Sequence, residues 1–279
     1  FEIDESLAIP QKNELAINWF ESKFNQQLAV IESHFEKFRI SDALMATYKL
    51  IWDDFCAWYL ESIKPEYESP IDRTSYDASV SFFERIIAVL HPFMPFITEE
   101  LWHAIKEREE KDCLIVAPRP TEGKVDQAII DQFAQLSEVI SAVRNVRNSK
   151  GMSPKEKMVV LVKTDETATY DNASELVMKL AGLESFSLVK DKPEGYFSVV
   201  INADEVFIEL PEEDPEEQLE ELKKQLAHTK GFLIGVEKKL SNERFVGSAP
   251  EKVVAMEKKK KADAEAQIKT LEESLAALQ

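Results

Sequence analysis

Residues 219–240 read LEELKKQLAHTKGFLIGVEKKL, and this stretch decides how the end of the chain folds. Leu219, Leu222, Leu226, Thr229, Leu233, Val236 and Leu240 follow one another at spacings of 3, 4, 3, 4, 3 and 4. The same rhythm returns in Val254, Glu257, Lys261, Ala264, Ile268, Leu271, Leu275 and Leu278. Between the two runs lies Ser241-Asn-Glu-Arg-Phe-Val-Gly-Ser-Ala-Pro250, with the glycine and proline of a helix break. Alternating 3/4 spacing gives each helix one apolar seam. Two such helices predict an antiparallel coiled-coil hairpin over 212–279. Helices of about 27 residues would carry it roughly 40 Å at about 1.5 Å per residue. So thin an arm has little core of its own and makes sense as a lever against something large.

Charge is segregated along this arm. Residues 212–222 hold seven acids and no base, and 262–279 hold four acids and one base. Residues 223–261 hold eleven bases against four acids, a net of +7. Lysine runs are ordinarily solvated faces, but an acidic root below a basic far part favours contact with a polyanion. Lys261 occupies a seam position, which weakens pairing there.

The whole chain has 279 residues and a formal charge of −18, which argues against a general DNA or RNA binder. Two or three domains fit its length. Cys56 and Cys113 share no metal spacing, as in a reducing cytosol, and a zinc knuckle is excluded. No apolar run reaches membrane-spanning length and no signal peptide is visible. The expected location is therefore cytoplasmic. The chain opens Phe-Glu-Ile-Asp without Met, as a piece of a longer protein would.

Residues 1–120 read as a four-helix bundle. Ile17, Phe20, Phe24, Leu28, Ile31, Phe35 and Phe38 form one stripe. Ser41 suits the N-cap of a second helix, with Leu44, Tyr48, Ile51, Phe55 and Trp58 inward and Pro65 beyond its end. A third runs from about Tyr76 to Leu90, and Pro95 opens a fourth that reaches about Glu110. Trp19 points off the first stripe and is either a flank packer or a stacking platform for a base. Residues 121–211 read as a small α+β subdomain. It has a helix over about 126–148, strands near 157–163, 186–189, 196–201 and 205–210, and a helix near 173–181.

No catalytic constellation assembles. The seven glycines are scattered, without a phosphate loop. His34, His91, His103 and His228 share no ligand spacing, so no metal site is expected. Asp53 and Asp54 face different directions on one helix, and no nucleophile, base and oxyanion site come together. The basic run Arg144–Pro154 stands at the end of a helix, where cations favour the dipole.

Several segments together resemble the valyl-tRNA synthetase family of class I aminoacyl-tRNA synthetases. Ile51-Trp-Asp-Asp-Phe-Cys-Ala-Trp-Tyr-Leu60 with Lys64-Pro65 is similar to the family's anticodon-binding bundle. His91-Pro-Phe-Met-Pro-Phe-Ile-Thr-Glu-Glu-Leu-Trp102 resembles its helix break, and Arg144–Pro154 its arginine-rich turn. Lys239–Val254 closely resembles the tip of the arm that ends bacterial members. The resemblance covers essentially the whole chain. It implies a mainly α fold of an anticodon-binding bundle (1–120), a small α+β subdomain (121–211) and a tRNA-binding arm (212–279). It implies valine tRNA as partner, a valine–tRNA ligase as parent enzyme, and a monomer. The catalytic and editing domains, with the ATP and Mg2+ they use, would lie upstream, leaving no catalytic site and no cofactor here. By this alignment Lys12, Asn18, Trp19 and Lys23 meet the anticodon region. Lys238, Lys239, Arg244, Phe245, Lys258, Lys259, Lys260 and Lys261 meet the tRNA elbow, with Arg144, Arg147 and Lys150 as further contacts. A non-enzymatic coiled-coil interaction module remains the alternative.

Overall fold

Pro10 holds an extended conformation (φ −65°) immediately before α1 (Gln11–Glu36), a helix of 26 residues. The computed structural model describes residues 2–109, 111–210 and 215–241, with positions 254, 257, 258, 261, 264, 265 and 268 beyond them. The buried face of α1 includes Ala16, Trp19, Phe20, Phe24, Leu28 and Ile31. Phe20 lies at its centre, with ring centroids 4.9 Å from Tyr59 and Phe82 and 5.3 Å from Phe55. The stacked contact with Tyr59, the tilted one with Phe55 and the edge-on one with Phe82 suit the quadrupoles of the rings. The apolar stripe was expected to continue to Phe38. The helix instead closes at Glu36, and Phe38 adopts a left-handed backbone (φ 57°) that turns its ring out to 89% exposure.

The second helix departs from its sequence reading in phase. α2 (Ile40–Lys49) follows Arg39, which makes no side-chain cap bond, so Ser41 is inside the helix rather than its cap. From Leu50 to Leu60 the helix widens to π geometry for 11 residues, and α3 (Glu61–Ile63) closes it before Pro65. Hydrogen bonds from i to i+5 add about one residue per turn and reset which side faces inward. The buried positions are Ala43, Thr47, Leu50, Phe55, Tyr59, Ser62 and Ile63, with a five-residue step from Leu50 to Phe55. Leu44 and Tyr48, expected inside, face solvent. With Ile40 and Trp52 they form an exposed stripe at four-residue intervals.

β1 (Ile3–Asp4) pairs in parallel with β2 (Ile71–Asp72). Asp72 then caps α4 (Arg73–Leu90), its carboxylate accepting from the Ser75 N–H at 2.8 Å. This cap starts the helix three residues before Tyr76. α5 (Pro95–Ile105) opens on Pro95 as the sequence indicates, and ends before the expected Glu110. Thr98, fully buried, donates to Met94 O and meets His91 Nδ1, both at 2.8 Å. Those bonds fix the break between α4 and α5.

Asp126 caps α6 (Gln127–Ser149) through the Ala128 and Ile129 N–H groups. Phe133, Leu136, Val139, Ile140 and Val143 form its buried side, and the helix packs against α1. The sheet combines β3 (Met158–Lys163), β4 (Leu183–Leu188), β5 (Phe197–Ile201) and β6 (Asp204–Ile208) in the order β4-β3-β6-β5. β3 and β4 run parallel, the other pairs antiparallel. α7 (Ser174–Ala181) enters β4 through Gly182, whose φ of 66° ends the helix where a side chain would be strained.

The chain divides into two units, Phe1–Glu209 and Leu210–Gln279. The second contains α8 (Pro215–Leu240). From Leu226 to Leu240, among the described side chains, the shielded ones are Leu226, Thr229, Leu233, Val236 and Leu240. Those are the seam positions of the heptad. Past the break, Val254, Glu257, Lys261, Ala264 and Ile268 are helical and shielded, while Lys258 and Glu265 are exposed. Lys261 Nζ lies 2.7 Å from Glu237, and Lys239 Nζ 3.8 Å from Glu257. Among the described residues, no helix is long and apolar enough to cross a membrane.

Asp54 gives the helical region a pH signature. Burial pushes its carboxyl up to about 6, partly opposed by the charge of Lys23. The folded chain therefore binds this proton more tightly than the unfolded chain, and stability falls as pH rises from about 4 to about 6. Asp54→Asn should raise the unfolding free energy at pH 7.5 by at most about 3 kcal/mol. The gain should vanish near pH 3.5. Urea unfolding of both proteins at the two pH values checks this.

Candidate nucleic-acid interface

The residues expected to touch the anticodon do not share one environment. Asn18 is exposed on α1. Lys23 is half-buried, 3.5 Å from Gln26 Oε1 and close enough to Asp54 to act on its titration. Lys12 lines a cavity of about 700 Å³ with Asn13, Lys64, Lys157 and Lys179. Lys179 donates to the carbonyls of Ser62 (2.8 Å) and Lys64. Burial, reinforced by the charge of Lys12, pulls its ammonium down to about 8.

Trp19 requires a correction. The indole is 4% exposed and stacks on Phe133 with centroids 3.7 Å apart and planes 11° from parallel. A ring covered in this way offers no face to a base, so the stacking role read from the sequence does not hold. The flank-packer reading does.

Arg144 and Arg147 also leave the list of contacts. Arg144 Nη2 and Nε donate to Leu180 O at 2.6 and 3.0 Å, and its guanidinium lies 5.6 Å from the Trp58 ring centre. Burial, with Arg147 nearby, lowers its pKa. Arg147 is 7% exposed and donates to Ala181 O (2.7 Å), Gly182 O (2.9 Å) and Glu156 O (3.4 Å). These cations satisfy carbonyls at the C-terminal end of α7, which has no intrahelical donors left for them. Lys150, just beyond α6, is exposed.

Aromatic surface appears instead on the exposed side of the second helix, at the junction of α2 and the π segment. Tyr48 and Trp52 are 52% and 60% exposed, their ring planes 12° apart at 6.3 Å. Sequence spacing assigned Tyr48 to the core, and nothing in the pattern marks a π turn.

In the arm, Lys238 and Lys258 are exposed. Lys239 is 61% exposed while approaching Glu257. Lys261 is held by Glu237, which raises its pKa, and by Glu265 at 3.7 Å. Arg244, Phe245, Lys259 and Lys260 lie outside the described residues.

Residues 18–163, more than half of the chain, match the anticodon-binding domain of tRNA ligase. The chain belongs to this family. Residues 214–279 match the valyl tRNA synthetase tRNA binding arm. The valine–tRNA ligase of Christiangramia forsetii is 43% identical over 281 residues, covering 100% of this chain and 32% of the relative. That of Parabacteroides distasonis is 41% identical, covering 99% and 31%. That of Aquifex aeolicus is 30% identical, covering 93% and 24%. The chain thus spans about a third or less of the length of these relatives.

Within this family member, packing roles for Trp19 and Arg147 have a measurable consequence. Trp19→Ala should cost about 3–5 kcal/mol of unfolding free energy. Arg147→Met should cost about 2–4 kcal/mol, because buried carbonyls lose their donors. Urea denaturation followed by circular dichroism reads both. A loss below about 1 kcal/mol would return either residue to the surface roles read from sequence.

Proposed function

We propose that the chain is the tRNA-recognition part of a valine–tRNA ligase, holding valine tRNA for ATP-dependent aminoacylation carried out elsewhere in a longer polypeptide. The observation that carries this reading is the succession of two tRNA-binding family matches on one chain, anticodon-binding domain first and tRNA-binding arm second. The ATP and Mg2+ of such a ligase belong to its catalytic domain. The seven glycines of this chain are scattered and form no glycine-rich phosphate loop. A free-standing coiled-coil interaction module is not favoured by these matches.

In this reading residues 1–120 form a four-helix anticodon bundle, 121–211 a small α+β subdomain, and 212–279 an antiparallel coiled-coil arm. The arm reading is supported by the shielded seam and by ion pairs joining Glu237 to Lys261 and Lys239 to Glu257. The protein works as a monomer in the cytoplasm. Its bundle receives the anticodon loop and its arm the elbow. Tyr48 and Trp52 supply the aromatic faces on which unpaired bases stack, in place of Trp19. Asn18, Lys12 and Lys23 supply hydrogen bonds and charge. Lys238, Lys239, Lys258 and, outside the described residues, Arg244, Phe245, Lys259 and Lys260 meet the elbow backbone.

Binding to valine tRNA should therefore weaken with salt by about 0.7 to 0.9 log units per log unit for each phosphate neutralised. Filter binding over a salt series is the measurement. Lys238→Ala with Lys258→Ala should flatten the slope by about 1 to 2, and an unchanged slope would remove the arm from the contact. Trp52→Ala should cost about 1–3 kcal/mol with intact tRNA and nothing with an anticodon-deleted tRNA. Equal losses with both would exclude stacking on the anticodon.

A further inference from the structure

Folding brings together a helical i, i+4 pair and a third side chain that no sequence spacing connects to it. Glu99 and His103 stand one turn apart on the same side of α5, and Cys113 comes back over them from the segment that follows. One carboxylate oxygen, one imidazole nitrogen and the Cys113 sulfur all lie within 4.8 Å of one another, and all three residues are half-buried. We propose that Glu99, His103 and Cys113 form a binding site for a single divalent transition-metal ion of the zinc type.

The donor set selects the metal. A thiolate disfavours Mg2+ and Ca2+, which take oxygen ligands, while sulfur, imidazole and carboxylate together suit Zn2+. Tetrahedral Zn2+ holds its ligands at about 2.0–2.3 Å, so neighbouring donors sit on the order of 3.5 Å apart. His103 Nε2 and Glu99 Oε1 are already 3.5 Å apart. Metal binding would draw the Cys113 sulfur from within 4.8 Å of the other two donors to on the order of 3.5 Å. Three protein ligands leave the fourth position to water.

The surroundings hold the donors in place. Glu99 Oε1 accepts from the Leu114 N–H at 2.8 Å, and Oε2 lies 3.4 Å from the Ile115 N–H, so the carboxylate is oriented by the residues next to Cys113. Those bonds use one lone pair of Oε1 and leave another. On the far side of the turn, Trp102 Nε1 donates to Asp112 O at 3.0 Å. Arg108 lies over the Trp102 ring and is paired with Glu84 and Asp112. Outer hydrogen bonds of this kind orient ligands in metal sites. Binding would release the Cys113 thiol proton to solvent and tie α5 to the segment behind it.

The test is a Co2+ titration of the 279-residue chain, read by absorption. A sulfur-to-cobalt charge-transfer band should saturate at one equivalent and disappear when Zn2+ is added. Cys113→Ser should abolish the band, His103→Ala should weaken Co2+ binding at least tenfold, and Cys56→Ser should change nothing. X-ray absorption of the zinc-loaded Cys56→Ser chain should show one sulfur among nitrogen and oxygen ligands, a result that needs no variant at the site itself. Absence of the band in the unsubstituted chain, its survival in Cys113→Ser, or a zinc shell without sulfur would each overturn the assignment.

Discussion

The face-to-face stack of Trp19 on Phe133 is the contact on which the body of the protein depends. Trp19 belongs to α1 and Phe133 to α6, so one ring pair joins the N-terminal helices to the layer that carries the sheet. Trp58 meets Phe133 edge-on at 5.9 Å, and Arg144 approaches Trp58 while donating to the carbonyl that ends α7. Aromatic pairs add about 0.5–1.5 kcal/mol beyond the area they bury, but their larger effect here is geometric. They hold α1, the π segment and α6 at one junction, and residues 1–209 form a single unit.

Much of this was legible from residue order, and the failures share a physical cause. Among the described side chains from Leu226 to Leu240, the 3/4 heptad names the shielded positions one by one, because a helix of regular pitch keeps its phase over many turns. Pro95 and the valine-rich run at 157–163 locate α5 and β3 for equally local reasons. The second helix fails where its pitch changes. A wide turn from Leu50 to Leu60 breaks the phase relation between the residues before it and those after it, so one stripe drawn through both places Leu44 and Tyr48 inside, whereas they are exposed. Trp19 fails because its partner lies 114 positions away, beyond the reach of any periodicity. The Glu99, His103 and Cys113 cluster was missed because Cys113 comes from the non-helical segment after α5, where no periodicity applies, although a carboxylate and an imidazole at i and i+4 were a usable signal.

The basic residues divide by environment rather than by position in the sequence. Arg144, Arg147 and Lys179 resemble surface cations in the primary structure, and each has its donors on backbone carbonyls near helix C-termini. Desolvation lowers the pKa of Arg144 and Lys179, so burial works against their charge, and the carbonyl bonds offset part of that cost. A run of arginines after a helix is therefore ambiguous until its neighbours are known. Cations that keep their hydration, such as Lys238 and Lys258, are the ones able to exchange counterions with a polyanion.

That distinction changes how the arm's charge should be counted. Glu257 and Lys261 occupy seam positions that an optimal apolar interface would fill with leucine. Each has its opposite charge on the facing run, at Lys239 and Glu237. In the proposed coiled-coil arm, moving up α8 from Glu237 to Lys239 moves back along the return run from Lys261 to Glu257, so these two ion pairs would set both direction and register. A one-turn slip would place Lys261 against apolar Leu233 or Leu240 and leave a charge without its partner. Polar seam residues lower stability and raise specificity in this way. Lys261 is thus a register element as much as a cation. The electrostatic pull of the lysine run 258–261 on a phosphate backbone is correspondingly smaller than four free charges would give.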